Sequence, residues 1–197
     1  DKVIFAHSSG EVQAVTRTGA VQVWGALVAG RRLNYAKSVV ADISGDPVVS
    51  GGRVYVGVQS GVTVALDAET GEQLWSVKEG AMSPVWAAGD AVFLVSDLNE
   101  VVRVSALTGE RVWATKLPLF VNERPRRVKE VYAHYGPVLA GGRLIVASGD
   151  GVLRMLDPAS GDIVGQVEVA GGATSNPVIA GGTLYVMSQR GQLLAFR

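Results

Sequence analysis

The side chains in this 197-residue chain that could do chemistry are two histidines, a few serine- and aspartate-bearing turns and one basic run. His7 and His134 are the only histidines, and there is no cysteine. A metal or catalytic pair would need the two to converge, yet they lie in different parts of the sequence. They read as polar residues at strand ends or in loops, with His134 ordering the long connection before it. Ser8-Ser9-Gly10, Ser148-Gly149-Asp150-Gly151 and Ser188-Gln189-Arg190-Gly191 could each present a nucleophile or a glycine nest for an anion. Asp67, Asp97 and Asp157 could be acid–base carboxylates, but a catalytic carboxylate pair is needed once, not once per repeat. Asp67 and Asp157 share a repeat position, as the serine turns do, so turn-building is the expected role. The run Arg124, Arg126, Arg127 and Lys129 could meet anionic lipid or an acidic protein patch. Glu123 and Glu130 blunt its charge, and a solvated loop face is expected. The neighbouring Leu119 and Phe120 leave peptide contact open, because exposed apolar groups suit it. No catalytic residue, metal ligand set or cofactor site is expected.

These residues sit in a repeat. One copy runs from Asp46 to Trp75, a second from Ser83 to Trp113, a third from Gly136 to Gly165 and a fourth from Asn176 to Arg197. Val3 to Trp24 is the same unit without its first strand. Within a copy, a Pro-Val strand is followed by a Gly-Gly turn, a β-branched run, a second glycine turn, another run, an Asp-x-x-Thr-Gly turn and a last strand. Four short strands per copy, separated by turn residues, predict an antiparallel meander. Runs such as Ala91–Val95 and Leu144–Ala147 are apolar without alternation, which predicts sheets covered on both faces. Small sheets stacked face to face around an axis give a β-propeller, with about 45 residues per blade.

The turn glycines Gly19, Gly71, Gly109 and Gly161 are spaced 52, 38 and 52 residues apart. The extra length falls between blades, at 26–45 and 114–135, and long connections are often binding loops. The blades are placed at 1–41 (partial), 42–79, 80–131 with its long connection, 132–171 and 172–197 (partial). With both terminal units incomplete, we expect the chain to be the C-terminal part of a longer propeller. We also expect it to self-associate through unpaired strand edges and bare blade faces, or to retain a missing N-terminal fragment.

Eighteen basic and eighteen acidic side chains give zero formal net charge, which argues against a nucleic-acid binder driven by phosphate neutralisation. No apolar stretch is long enough for a membrane-spanning helix. The absence of cysteine excludes disulfides, cysteine–metal sites and thiol catalysis from this segment.

The segment Ala65 to Trp75 (ALDAETGEQLW) resembles the tryptophan-docking motif of quinoprotein-type propellers, and Ser105 to Trp113 is a weaker copy. The whole chain from Val3 resembles the C-terminal half of the BamB family. The match includes the Asp42-Ile43-Ser44-Gly45-Asp46-Pro47 lead-in to a blade, the turn at 94–100 and the link at 171–177. The resemblance implies an eight-bladed propeller lipoprotein of the outer-membrane β-barrel assembly machinery. Such a protein is periplasmic, is held at the inner face of the outer membrane by an N-terminal lipid, and is not an enzyme. By the same resemblance it docks on the barrel-inserting subunit and aids delivery or insertion of β-barrel proteins, with unfolded outer-membrane proteins as further partners. It further implies that Trp24, Trp75 and Trp113 pack between blades and that Gly71, Gly109 and Gly161 make tight turns. Asp42 matches an acidic partner-binding position, and Ser44 stands where the family has a second acidic residue. A further docking loop would precede residue 1. Two other readings stay open. A quinone-cofactor dehydrogenase would need a non-repeating cluster of calcium ligands, a catalytic aspartate and basic residues, whereas the sequence offers recurrent turn residues. A peptide-binding propeller with another partner is the other.

Overall fold

The computed structural model of the chain describes residues 1–28, 43, 45–121 and 130–197. The described residues form eighteen strands and no helix. The first sheet has three strands, β1 (Lys2–Ala6), β2 (Glu11–Thr16) and β3 (Gln22–Leu27). The second has β4 (Val48–Ser50), β5 (Arg53–Val58), β6 (Val62–Asp67) and β7 (Gln73–Val77). The third has β8 (Trp86–Ala88), β9 (Ala91–Val95), β10 (Glu100–Ser105) and β11 (Arg111–Lys116). The fourth has β12 (His134–Ala140), β13 (Arg143–Ser148), β14 (Val152–Leu156) and β15 (Ile163–Glu168). The fifth has β16 (Val178–Ala180), β17 (Thr183–Met187) and β18 (Leu193–Phe196). Each is an antiparallel meander in chain order, and the architecture is all-β, a partial β-propeller.

The turns follow from the glycines. Ser50 pairs with Arg53, and Ala140 with Arg143, across two-residue hairpins. Both central residues of such a turn need positive φ. Gly51 and Gly52 supply 57° and 74°, and Gly141 and Gly142 supply 55° and 72°. No Cβ clash would arise at these four glycines, so backbone conformation alone selects them.

The sheets stack with side chains interleaved. In β5, Val54, Val56 and Val58 pack with Val12, Ala14 and Trp24 of the first sheet. Tyr55, between them, packs the other way, against Val92 and Leu94 of the third sheet. In β9 the same division sends Val92 and Leu94 back and Phe93 and Val95 forward to Leu144 and Val146. Alternate residues meet different neighbours, so both phases are apolar and no polar phase appears. The end sheets differ: β1 alternates, and Phe5 stays 47% exposed on the outward face, as Leu193 does at 63% on the last sheet.

In each four-stranded meander the first–second and third–fourth strand turns lie at one end of the stack. The second–third turns and the connections between blades lie at the other. This division sorts the candidate site residues.

Candidate functional site

At the turn end, the tryptophans and the turn glycines are partners. Trp24 lies against Gly71 of the next blade, where a Cβ would sit 2.6 Å from the indole ring. Trp75 meets Gly109 at 2.7 Å and Trp113 meets Gly161 at 2.7 Å in the same sense. Each indole N–H donates to the carbonyl three residues before that glycine: Trp24 to Ala68 at 3.1 Å, Trp75 to Ala106 at 3.0 Å and Trp113 to Pro158 at 3.2 Å. The glycines hold φ of 76°, 75° and 80°. Both the backbone and the indole therefore demand glycine. Trp24 and Trp75 are buried, whereas Trp113 is only partly so.

Asp67 and Asp157 build these turns. Asp67 Oδ1 accepts from the N–H groups of Glu69 and Thr70, and Asp157 Oδ1 from those of Ala159 and Ser160. Those N–H groups hold both carboxyls below the usual carboxylate range, Thr70 and Ser160 contributing most. Asp97 departs from this pattern. Its Oδ1 accepts from the N–H of Gly80, in the link from the preceding blade, at 2.9 Å. It ties two blades together, while Ser96 Oγ accepts from the amides of Leu98 and Glu100 within the turn.

The connection end carries the side chains that do not repeat. After β11 the chain buries Leu117 and returns as a hairpin arm. Tyr132 N–H donates to Leu119 O, Val121 N–H to Glu130 O, and Phe120 bridges Val131. Asn99 Nδ2 donates to Tyr132 O from the blade behind. Leu119, Phe120, Val121 and Val131 stay 38–46% exposed on this stem. Asp42, Ser44, Arg124, Arg126 and Arg127 lie outside the described residues.

His134 stands at the strand entry, as the sequence suggests: it opens β12, and it is buried there, 6% exposed. Its ring nitrogens lie 2.7 Å from Ser148 Oγ and 2.8 Å from Pro118 O. His7 is exposed on the first sheet. Ser148 is fully buried and accepts from Arg154, which pairs with Asp150. Sequence reasoning missed this network. Its signal was Arg154, a charged residue inside the apolar strand Val152–Leu156.

At the axial edge of the first strands lies an apolar cavity of about 400 Å³, walled by Val48, Val49, Pro84, Trp86 and Val138. Asn176, also on its wall, accepts at Oδ1 from Gly136 N–H (2.8 Å) and Ser83 O–H (3.0 Å), which joins the lead-ins of three blades. Among the described residues, no three His, Asp or Glu side chains converge to hold a metal ion.

The geometry agrees with known proteins. The solved structure of BamB from Moraxella catarrhalis superposes with a TM-score of 0.79 at 22% identity, over 98% of this chain and 53% of that one. A quinohemoprotein alcohol dehydrogenase from Comamonas testosteroni shares the fold at 14% identity and a TM-score of 0.67, over 99% of this chain and 39% of that one. In sequence, BamB of Shewanella oneidensis is 26% identical over 187 residues, 94% of this chain and 45% of that protein. The chain spans about half the length of the curated relatives it matches. A family model described as outer membrane protein assembly factor BamB matches residues 1–115 and 123–197, and the chain belongs to that family.

Proposed function

We propose that this chain is part of a non-enzymatic scaffold in outer-membrane protein assembly, acting in the periplasm at the inner face of the outer membrane. Its docking surface is the connection end, and its partner is the barrel-inserting subunit. The observation that carries this reading is the hydrogen-bonded stem that holds Leu119, Phe120, Val121 and Val131 out to solvent. An apolar group displayed on an ordered frame gives contact area at little entropic cost on binding. Asp42 and the arginines at 124, 126 and 127 belong to the same two connections and would add a polar rim. The apolar axial cavity suits side chains of an extended client segment, since no charged group lines it.

The test is recovery of the barrel-inserting subunit with the full-length protein from solubilised outer membranes. Phe120→Ala should cut recovery about tenfold or more, as a hot-spot aromatic does, while the melting temperature holds. Charge reversal at Asp42 should add to that loss. Undiminished recovery with Phe120→Ala would remove the stem from the docking surface.

A further inference from the structure

The donors and acceptors around His134 admit one arrangement. Pro118 O can only accept, so His134 Nε2 carries a proton and donates it. With the ring neutral, Nδ1 is an acceptor and takes the hydroxyl proton of Ser148. The Ser148 oxygen accepts from Arg154 Nη1 at 3.0 Å. Arg154 in turn pairs with both oxygens of Asp150, at 3.2 and 2.6 Å. The donors run in one direction, from guanidinium to hydroxyl to imidazole to carbonyl.

The carbonyl at the end of that chain belongs to the docking stem. Pro118 sits between buried Leu117 and exposed Leu119, one residue further from Phe120. We infer that His134 is the positioning residue of the docking stem: its neutral ring clamps Pro118 to the fourth blade, and because the buried site disfavours a charged ring, protonation weakens that clamp by favouring the open stem. The role in docking rests on the function proposed above; the clamp itself does not.

A proton added at Nδ1 would turn that nitrogen from acceptor to donor, so the Ser148 hydroxyl proton would lose its acceptor and have to turn away. It would also create an imidazolium beside the guanidinium. The groups facing the ring are Ser148 from β13, Asp150 from the turn after it, Arg154 from β14 and the Pro118 carbonyl from the connection. Burial opposes the charged ring most, and Arg154 adds to it. Asp150 favours the charge, but both its oxygens are already committed to Arg154. The Pro118 carbonyl also favours the charged ring, but by less than burial opposes it, and the neutral Nε2–H form already makes that bond. His134 is therefore held below the usual histidine range. With the folded-state value lowered, the clamp is complete above about pH 6.5 and is lost as pH falls toward the lowered value.

Hydrogen exchange on the purified protein, corrected for intrinsic rates, tests this between about pH 8 and pH 5. The amides of Val121 and Tyr132 should lose protection by up to about tenfold per pH unit across the titration, while amides of β5 and β6 hold theirs. His134→Gln should lower protection of the stem at every pH and abolish its pH step. Ser148→Ala, which keeps the imidazole but removes the donor to Nδ1, should move the step to higher pH. Ring-nitrogen NMR should report the neutral Nε2–H tautomer at neutral pH. The same pH step in His134→Gln as in the parent, or an Nδ1–H tautomer, would overturn the clamp. Loss of protection that follows His134, combined with partner recovery indifferent to Phe120→Ala, would keep the clamp and reject the docking reading instead.

Discussion

At the turn end of the blade stack, Trp24, Trp75 and Trp113 meet Gly71, Gly109 and Gly161 in three near-copies of one contact. At the connection end the side-chain contacts between blades differ each time. Asp97 takes Gly80 N–H, Asn99 holds Tyr132 O, His134 holds Pro118 O and Gln189 reaches Gly149 O. A contact written once per blade solves a problem that every blade shares, which is how to register one sheet on the next. Contacts written once in the chain are free to serve a purpose that only one place requires. The repeating end is the frame, and the varied end is where recognition can be placed without disturbing it.

Four substitutions would break or sharpen that contrast. Trp75→Ala removes a buried indole that also packs on Tyr55, with ring centroids 5.9 Å apart. It should cost about 3–5 kcal/mol in urea unfolding. Trp113→Ala should cost less, since that ring is only partly buried. Equal costs would mean that the three contacts are not graded by burial. Gly109→Ala should cost about 1–3 kcal/mol from its left-handed backbone and the indole above it. In a Trp75→Ala background the steric part vanishes, so the added cost should shrink; strict additivity would deny the contact. The smallest effect belongs to Asp157→Asn. Asparagine keeps an acceptor for the Ser160 and Ala159 N–H groups, so stability near neutral pH should hold. The lowered carboxyl of Asp157 contributes stability above the ordinary carboxylate range that is lost as pH falls through its folded-state value. The variant should therefore show a slightly flatter acid limb than the parent, and an unchanged limb would make this turn irrelevant to acid unfolding.

Much of the frame was legible in the residues. The Gly-Gly pairs announced two-residue hairpins because that turn accepts little else. The unbroken apolar runs of β9 and β13 announced sheets with neighbours on both sides. What the tryptophans and turn glycines do for each other was not legible from either motif alone. Trp75 and the Ala106 carbonyl lie 31 residues apart, and only the stacking order brings them together. Asp97 looked like Asp67 and Asp157 but points into a link from another blade. His134 is the strand end its sequence suggests, but its burial was not legible, because Ser148 and Pro118, which satisfy both ring nitrogens, come from elsewhere in the chain.

The sequence by itself determined everything that a few neighbouring residues can specify: strand lengths, turn types, the number of strands per blade and the propeller class. These depend on φ preferences and on the period of apolar residues, which act over short stretches of chain. The tertiary structure alone decided which glycine each indole covers and which histidine is buried. It also decided which arm of a connection holds Phe120 to solvent. Those outcomes depend on how one sheet is set against the next, and that is fixed by the summed packing of two whole faces rather than by any one motif.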